Sequence, residues 1–340
     1  MNKSKIKPDR NLAMEMVRIT EAAAISAARY MGTGQKEEGD QAAVDAMRAV
    51  LDTVEVRGTV VIGEGEKDEA PMLFNGEKVG MGTGPEVDVA VDPVEGTNLM
   101  AFGRPNSIAV LAMSEAGSMW DPGDSFYMNK LVVAKEARNA IDIKKPPAEN
   151  LYAIAKALNR DVRDLTVFIL DKERHKALIT EVRSTGARIS LHTDGDVMGG
   201  LMATIPGTGV DVLMGVGGTP EGVITAAAVK AMGGGMQAVR SPQLPEEKEK
   251  LAAANIDLEQ ILGLDDLIQA DDAFFAATGI TGGSFLEGVH FDRDSGVTTH
   301  SIVIRALTGS IRYIKGVHQL KRPMDFKNRD IEGTHGLEDL

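Results

Sequence analysis

The sequence has no cysteine, one tryptophan, few aromatics overall, and 37 Lys+Arg against 50 Asp+Glu over 340 residues. Each shortage removes a class of function. Without thiols there are no disulfides, no cysteine nucleophile and no Cys-ligated zinc or iron–sulfur site. A formal charge of -13 lacks the cationic footprint that nucleic acid and anionic membranes require, so neither is expected as a partner. No apolar run approaches the ~20 residues of a membrane span. The basic opening MNKSKIKPDR has no apolar stretch of the kind a secretory signal carries, and a cytoplasmic protein is expected. What is present, 43% apolar and 26% charged residues, is ordinary for a globular chain. The length exceeds what one hydrophobic core usually serves, which favours two domains or one large α/β unit.

Apolar steps of three and four from Leu12 through Met16, Ile19, Ala23 and Ala27 predict a helix over 11–31, ended by Gly32, and a second helix is expected after Asp40. Short apolar runs at Thr59–Ile62, Val87–Val91, Ile108–Met113 and Leu131–Val133 read as strands. Lys144-Lys-Pro-Pro147 breaks the pattern, which sets an expected N-terminal α/β domain over 1–147 and a second over 148–320. In the second, helices at 149–158, 174–184, 197–203 and 221–232 alternate with strands at 166–170, 187–191 and 210–214. That rhythm predicts crossover connections and a largely parallel sheet. A charged helical stretch is expected over 245–264, a hairpin at Ser301–Ile304 and Ser310–Val317, and a loose polar tail over 321–340.

Common nucleotide and hydrolase signatures fail on their residues. Gly-Lys never occurs, so there is no Walker A loop, and neither His-Glu-x-x-His nor Gly-x-Ser-x-Gly is present. Gly233-Gly-Gly235-x-x-Ala238 leaves a helix for a strand, the wrong order for a dinucleotide turn. The loop at Asp194-Gly-Asp196 has Ile205 where a calcium loop needs its bidentate Glu.

The informative segment is Val87-Asp-Val-Ala-Val-Asp92-Pro-Val-Glu95-Gly-Thr97-Asn98. An apolar strand delivers Asp92 at its carboxyl end, where open α/β sheets place ligands. Pro93 is expected to stop the strand, Glu95 to turn back toward Asp92, and Gly96 to let the backbone approach a ligand closely. Two carboxylates, a hydroxyl and oriented N–H groups suit a hard divalent cation bridging to a phosphate ester, magnesium or manganese rather than zinc or copper.

Asp92-Pro-Val-Glu95-Gly-Thr97 resembles the Asp-Pro-x-Asp-Gly-Ser/Thr motif of the lithium-sensitive, metal-dependent sugar phosphatases, the inositol monophosphatase and fructose bisphosphatase superfamily. Glu95 departs from the usual Asp, and in this the chain is similar to the bacterial class II fructose-1,6-bisphosphatases of the GlpX type. The similarity runs from about Glu15 to Val317 and includes Val61-Ile-Gly-Glu64-Gly-Glu-x-Asp-Glu-Ala-Pro-Met72, Ser125-x-Tyr127-Met, Lys172-x-Arg174-His, Asp194-Gly-Asp196-Val and Gly217-Gly-x-Pro-Glu221-Gly-Val. The resemblance implies a layered α/β sandwich of two α/β domains with the active site between them. It implies hydrolysis of the 1-phosphate of fructose 1,6-bisphosphate by metal-activated water, with Mg2+ or Mn2+, two ions per site. Asp40 and Glu64 resemble the ligands of one ion, and Asp92, Glu95 and Glu221 those of the other. Thr97 resembles the residue that positions the attacked phosphate and activates the water, with Asp92 and Glu64 beside it in the catalytic set. Glu95, Gly96, Thr97, Tyr127, Lys172, Glu173, Arg174, Asp194, Gly195, Asp196 and Gly218 resemble the substrate-binding set. Sedoheptulose 1,7-bisphosphate is the alternative substrate that the resemblance allows, and a homodimer or homotetramer the assembly. A non-catalytic sugar-phosphate binder is a third reading.

Each residue also has a plainer reading. Asp40 suits a helix N-cap, Glu64 a solvated turn, and Glu221 the first turn of a helix. Glu66, Asp68 and Glu69 read as solvated neighbours of Glu64, any of them able to assist it. Tyr127 can simply bury its ring, Lys172 and Arg174 can form an exposed charged face, and Asp194 and Asp196 can cap a helix. His175 and His192 read as packing or surface residues, not ligands.

Overall fold

The computed structural model describes residues 11–65, 72–292 and 296–319. In chain order it begins with α1 (Leu12–Ala28), α2 (Lys36–Leu51), β1 (Arg57–Ile62), β2 (Lys78–Val79), β3 (Glu86–Glu95), α3 (Thr97–Ala101) and β4 (Ile108–Glu115). There follow β5 (Tyr127–Val133), α4 (Pro147–Ala157), β6 (Thr166–Leu170), α5 (Lys176–Ser184), β7 (Arg188–His192), α6 (Asp196–Thr204), β8 (Val212–Gly218) and α7 (Thr219–Met232). Next come β9 (Gly235–Arg240), α8 (Pro245–Ala253), β10 (Leu262–Gly263) and α9 (Leu264–Leu267). The last strands are β11 (Ala273–Gly279), β12 (His290–Asp292), β13 (Gly296–Arg305) and β14 (Ser310–His318). The expected tail over 321–340 and the side chains of Glu66, Asp68 and Glu69 lie outside the described residues.

The chain forms two units. One holds the described residues within Met1–Gly117, Phe274–Arg305 and Ser310–Leu340, the other Ser118–Ala273 with Ala306–Gly309. The first unit thus recovers its last strands from the far end of the chain, and residue 147 falls inside the second unit, at the start of α4. Lys144-Lys-Pro-Pro147 breaks a secondary-structure pattern, which marks a helix start and not a change of sheet.

In the first unit the sheet order is β12-β13-β11-β4-β3-β1-β2, with β14 on β13. β1 and β3 run parallel, while β3–β4, β11–β13 and β13–β14 are antiparallel. The alanine-rich α1 is a strong helix former. Met16, Val17, Ile19, Ala23 and Ile25 pack with Val44 and Met47 of α2 and with Val87, Val89 and Phe274 of the sheet. Its buried Thr20 hydroxyl is satisfied in a chain running Thr20 Oγ1–Thr278 Oγ1–Ser301 Oγ with both links at 2.8 Å, as a core hydroxyl must be.

In the second unit the order is β10-β9-β5-β8-β6-β7. Val167 and Ile169 pack toward Leu151, Ile154, Ile179 and Val182 of α4 and α5. Phe168 faces the other way, where a Cβ on Gly199 of α6 would stand 2.6 Å from its ring. Helices therefore cover both faces of this sheet, as the continuous burial of Val167–Leu170 requires when successive side chains point to opposite faces. β6–β7 and β6–β8 are parallel, but β5–β8, β5–β9 and β9–β10 are antiparallel. The expected largely parallel sheet is thus a mixed one. β5 precedes the first crossover and β9 follows the last, so neither is bound to the parallel direction. The architecture is mixed α/β, as expected. β14 and β13 form the expected hairpin. The helix expected over 245–264 ends at Ala253.

Candidate active site

β1 and β3 are parallel neighbours with Ile62 beside Ala90, so the residues that follow both strands leave the sheet at one end. Pro93 does not stop β3. The strand runs on to Glu95, with a register shift against β4 between Asp92 and Glu95. A bulge absorbs the missing N–H of proline, and pairing resumes at Glu95 with Ile108. The bulge turns Asp92 so that its Oδ1 accepts the Val94 N–H at 3.0 Å. Asp92 and Glu95 offer carboxylate oxygens within 4.8 Å of each other, which meets the expectation that Glu95 turns back. Gly96 then takes φ +81, a left-handed backbone that glycine adopts without penalty. Thr97 is the first residue of α3, one position after the N-cap.

Glu64 follows β1, its N–H donating to the Leu73 carbonyl at 2.9 Å. A side chain at Gly63 would place Cβ 1.9 Å from that same carbonyl oxygen, so glycine is what lets the loop close here. Asp40 is not an N-cap: α2 starts at Lys36, which places Asp40 one turn inside the helix. Burial raises its carboxyl above the ordinary value, opposed by Lys36 and reinforced by Glu37. Burial also pushes the Glu64 carboxyl up to about 8, and the charge of Asp40 adds to it. Two half-buried acids whose burial opposes ionisation, one of them further raised by the other, fit a nearby cation, since an opposite charge at ~4–6 Å favours the charged form.

In the second unit the site residues follow three parallel strands. Lys172 and Arg174 come after β6 and Asp194 and Asp196 after β7, while Gly218 ends β8 and Glu221 follows it. This common carboxyl end is where crossover sheets collect ligands. β5 is antiparallel to β8 with Tyr127 opposite Gly218, which brings Tyr127 to the same end.

Lys172 Nζ donates to Asp194 Oδ1 at 2.9 Å. Arg174 donates from Nε and one terminal nitrogen to the Val216 carbonyl at 3.1 and 3.0 Å, and its guanidinium carbon lies 5.3 Å from the Tyr127 ring centre. The arginine is therefore oriented by backbone and ring, and its remaining donors keep their hydrogen-bonding capacity. Glu173, between them, is exposed and pairs with Lys176 at 2.7 Å. Gly195 has φ +92 and is the N-cap of α6, and Asp196 begins that helix as a buried carboxylate. Gly218 is needed for space: its Cβ would sit 1.8 Å from Glu221 Oε2.

Glu221 occupies the first turn of α7, yet the macrodipole does not account for its surroundings. Its carboxyl is raised by burial and by Asp196, with Lys130 opposing. Oε2 is buried and has no hydrogen-bond partner among the described residues. A buried, unsatisfied carboxylate oxygen is costly, and an all-oxygen donor of this kind suits a hard divalent cation.

The two histidines are structural, as expected. His175 Nδ1 donates to the Leu170 carbonyl at 2.7 Å and Nε2 accepts the Val216 N–H at 2.8 Å. Burial lowers its pKa, so it stays neutral with both nitrogens used. His192 stacks on Phe168 at 4.1 Å.

Two supporting residues escape sequence reasoning. Lys130 is 2% exposed; a cation just before the apolar run Leu131–Val133 was the available signal. Glu247 of α8 is fully buried and accepts the N–H groups of Phe126, Tyr127 and Gln243 at 2.7, 2.9 and 2.8 Å, fixing the backbone that carries Tyr127. Nothing in its charged sequence neighbourhood sets it apart. Among the described residues no helix is long and apolar enough to cross a membrane.

Comparison with known proteins adds an independent line. Residues 10–318 match the family described as bacterial fructose-1,6-bisphosphatase, glpX-encoded. A Prochlorococcus marinus protein named D-fructose 1,6-bisphosphatase class 2/sedoheptulose 1,7-bisphosphatase is 44% identical over 324 residues, covering 91% of this chain and 96% of that one. A Synechocystis protein of the same name is 41% identical over 340 residues, covering 93% and 98%.

Proposed function

Because the chain belongs to the glpX-encoded family of bacterial fructose-1,6-bisphosphatases, we propose that it hydrolyses the 1-phosphate of fructose 1,6-bisphosphate with water, giving fructose 6-phosphate and inorganic phosphate. The observation that carries the reading is the run of carboxylates with raised or unsatisfied oxygens, Asp40, Glu64 and Glu221, together with the Asp92–Thr97 segment. Asp40 and Glu64 hold one divalent ion, and Asp92, Glu95 and Glu221 hold a second, either Mg2+ or Mn2+. When bound, such ions neutralise the attacked phosphate and lower the pKa of the attacking water.

The chain's own groups do the rest. The Thr97 hydroxyl orients the attacked phosphate, and the backbone at Glu95 and Gly96 approaches it closely. Lys172 and Arg174 take the remote phosphate, Arg174 by its planar fork of donors. Asp194 and Asp196 accept sugar hydroxyls, with Gly195 and Gly218 leaving room, and Tyr127 borders the sugar. Glu173, exposed and paired with Lys176, contributes at most through its backbone. A bisphosphate, with several negative charges, approaching a protein of formal charge -13 needs this local reversal of sign.

Sedoheptulose 1,7-bisphosphate is the second substrate, supported by the double activity in the relatives' names. The enzyme is proposed to work in the cytoplasm as a homodimer or homotetramer, closed symmetric assemblies being the common case. The test is phosphate release by metal-stripped protein supplied with Mg2+ or Mn2+, assayed on both bisphosphates and on inositol monophosphate. Metal-dependent release from fructose 1,6-bisphosphate is expected. No release from either bisphosphate with either metal defeats the reading.

A further inference from the structure

Lys130 stands in the interior of β5 and is only 2% exposed. A buried ammonium persists only where partners replace its water. Here Asp196 Oδ2 lies 2.5 Å from Nζ, and Nζ donates to the Gly218 carbonyl at 2.7 Å. The lysine stem passes under the first turn of α7, where a Cβ on Gly222 would stand 3.4 Å from its Cδ. The neighbouring backbone leaves no slack. A Cβ on Gly217 would fall 1.8 Å from Asp196 Oδ2 and 3.0 Å from Lys130 Nζ, and one on Gly218 would fall 1.8 Å from Glu221 Oε2.

One ammonium therefore ties together the start of α6, the end of β8 and the glycine turn that opens α7. A single buried ion pair needs only two partners. This one also fixes the carbonyl of Gly218, beside Glu221. With one carboxylate oxygen of Asp196 pinned by the ammonium, the direction of the other is set, and it can serve as an acceptor.

We propose that Lys130 is a positioning residue for substrate binding: it aims Asp196 and the Gly217–Gly218 turn at a hydroxyl-bearing sugar phosphate, without touching the reacting atoms. The proposal rests on the reading of Asp196 as an acceptor of sugar hydroxyls.

The experiment is a kinetic cycle on the full-length, metal-loaded enzyme with fructose 1,6-bisphosphate, comparing Lys130→Met, Asp196→Asn and the double variant. Asp196→Asn is expected to raise KM about tenfold or more, the usual scale for a hydrogen bond to a charged group. Lys130→Met is expected to raise KM on the same scale, with kcat changing less than about threefold. Because both act through one carboxylate, the double variant is expected to be no worse than the more affected single variant. Independent effects would instead multiply to about 100-fold.

Lys130→Met leaves Asp196 uncompensated. Should it not fold, the double variant, which removes both charges, is compared with Asp196→Asn alone. Equal KM values support the proposal, and a further tenfold rise overturns it. A Lys130→Met enzyme with lowered melting temperature but unchanged KM also overturns it, since that is the behaviour of a purely structural lysine. Unchanged KM in Asp196→Asn removes the reading of Asp196 and the proposal with it. A rise in Asp196→Asn without one in Lys130→Met removes the proposal alone.

Discussion

In the first unit, burial raises the carboxyls of Asp40 and Glu64, and the charge of Asp40 adds to the cost of ionising Glu64. In the second unit, acids come with bases. Lys130 lies 2.5 Å from Asp196, and Lys172 lies 2.9 Å from Asp194. The same residue type thus serves two chemistries. Buried carboxylates that resist ionisation are stabilised by a cation from outside, which is what the proposed metal centre would supply. Carboxylates already matched by lysines need no such ion, and their chemistry suits hydrogen-bond acceptance from neutral groups such as the sugar hydroxyls proposed above. Glu221 shares features of both, with Lys130 opposing the burial that raises it and one oxygen left unsatisfied.

The contrast breaks most sharply at Asp92. Asp92→Asn keeps the shape but removes a charge proposed to bind metal, and turnover is expected to fall by about 10³-fold or more. Initial-rate phosphate release at saturating Mn2+ measures it, and a variant with intact activity removes the metal assignment. A base in the second unit should behave differently. Arg174→Ala is expected to raise KM about tenfold while kcat stays within about threefold, because the contact proposed for Arg174 is to the non-reacting phosphate. A fall in kcat with KM unchanged would place Arg174 at the reacting phosphate instead.

The third effect is smaller and concerns stability. Between the ordinary carboxyl value of 4.5 and about 8, folded Glu64 keeps a proton that the unfolded chain releases. Its contribution to metal-free stability is therefore intact below pH 4.5 and lost as pH rises through about 8. Glu64→Gln cannot ionise. In chelator, its melting temperature relative to the parent is expected to rise between pH 5 and pH 8 by about 2–4 °C. An equal difference at both pH values contradicts the account.

Much of the site was legible because its motifs are contiguous. Asp92 to Thr97 declares itself through a strand, a proline, two acids and a glycine, and the structure brings Asp92 and Glu95 together. Strand 166–170 was placed residue for residue, since an apolar run between two amphipathic helices has few other homes. The long-range partnerships were not legible. β11, Ala273–Gly279, is buried at every position, so it lacks the alternation that marks a half-exposed strand. β9 was legible only as the strand that the glycine run at 233–235 enters, with no partner assigned to it. Pro93 was expected to end β3, and only the pairing of Glu95 with Ile108 reveals the bulge that carries the strand past it. Lys130 and Glu247 matter through residues 66 and more positions away, Asp196 and Tyr127, and local pattern carries no trace of such pairs.

The central claim is that the crowded carboxylates of the first unit are a metal centre. Its most direct measurement is Mn2+ binding, by electron paramagnetic resonance, to chelator-stripped parent and Asp92→Asn proteins. The account predicts that the parent binds Mn2+ and that Asp92→Asn loses at least about tenfold in affinity while remaining folded. Equal Mn2+ binding by the two proteins would contradict it.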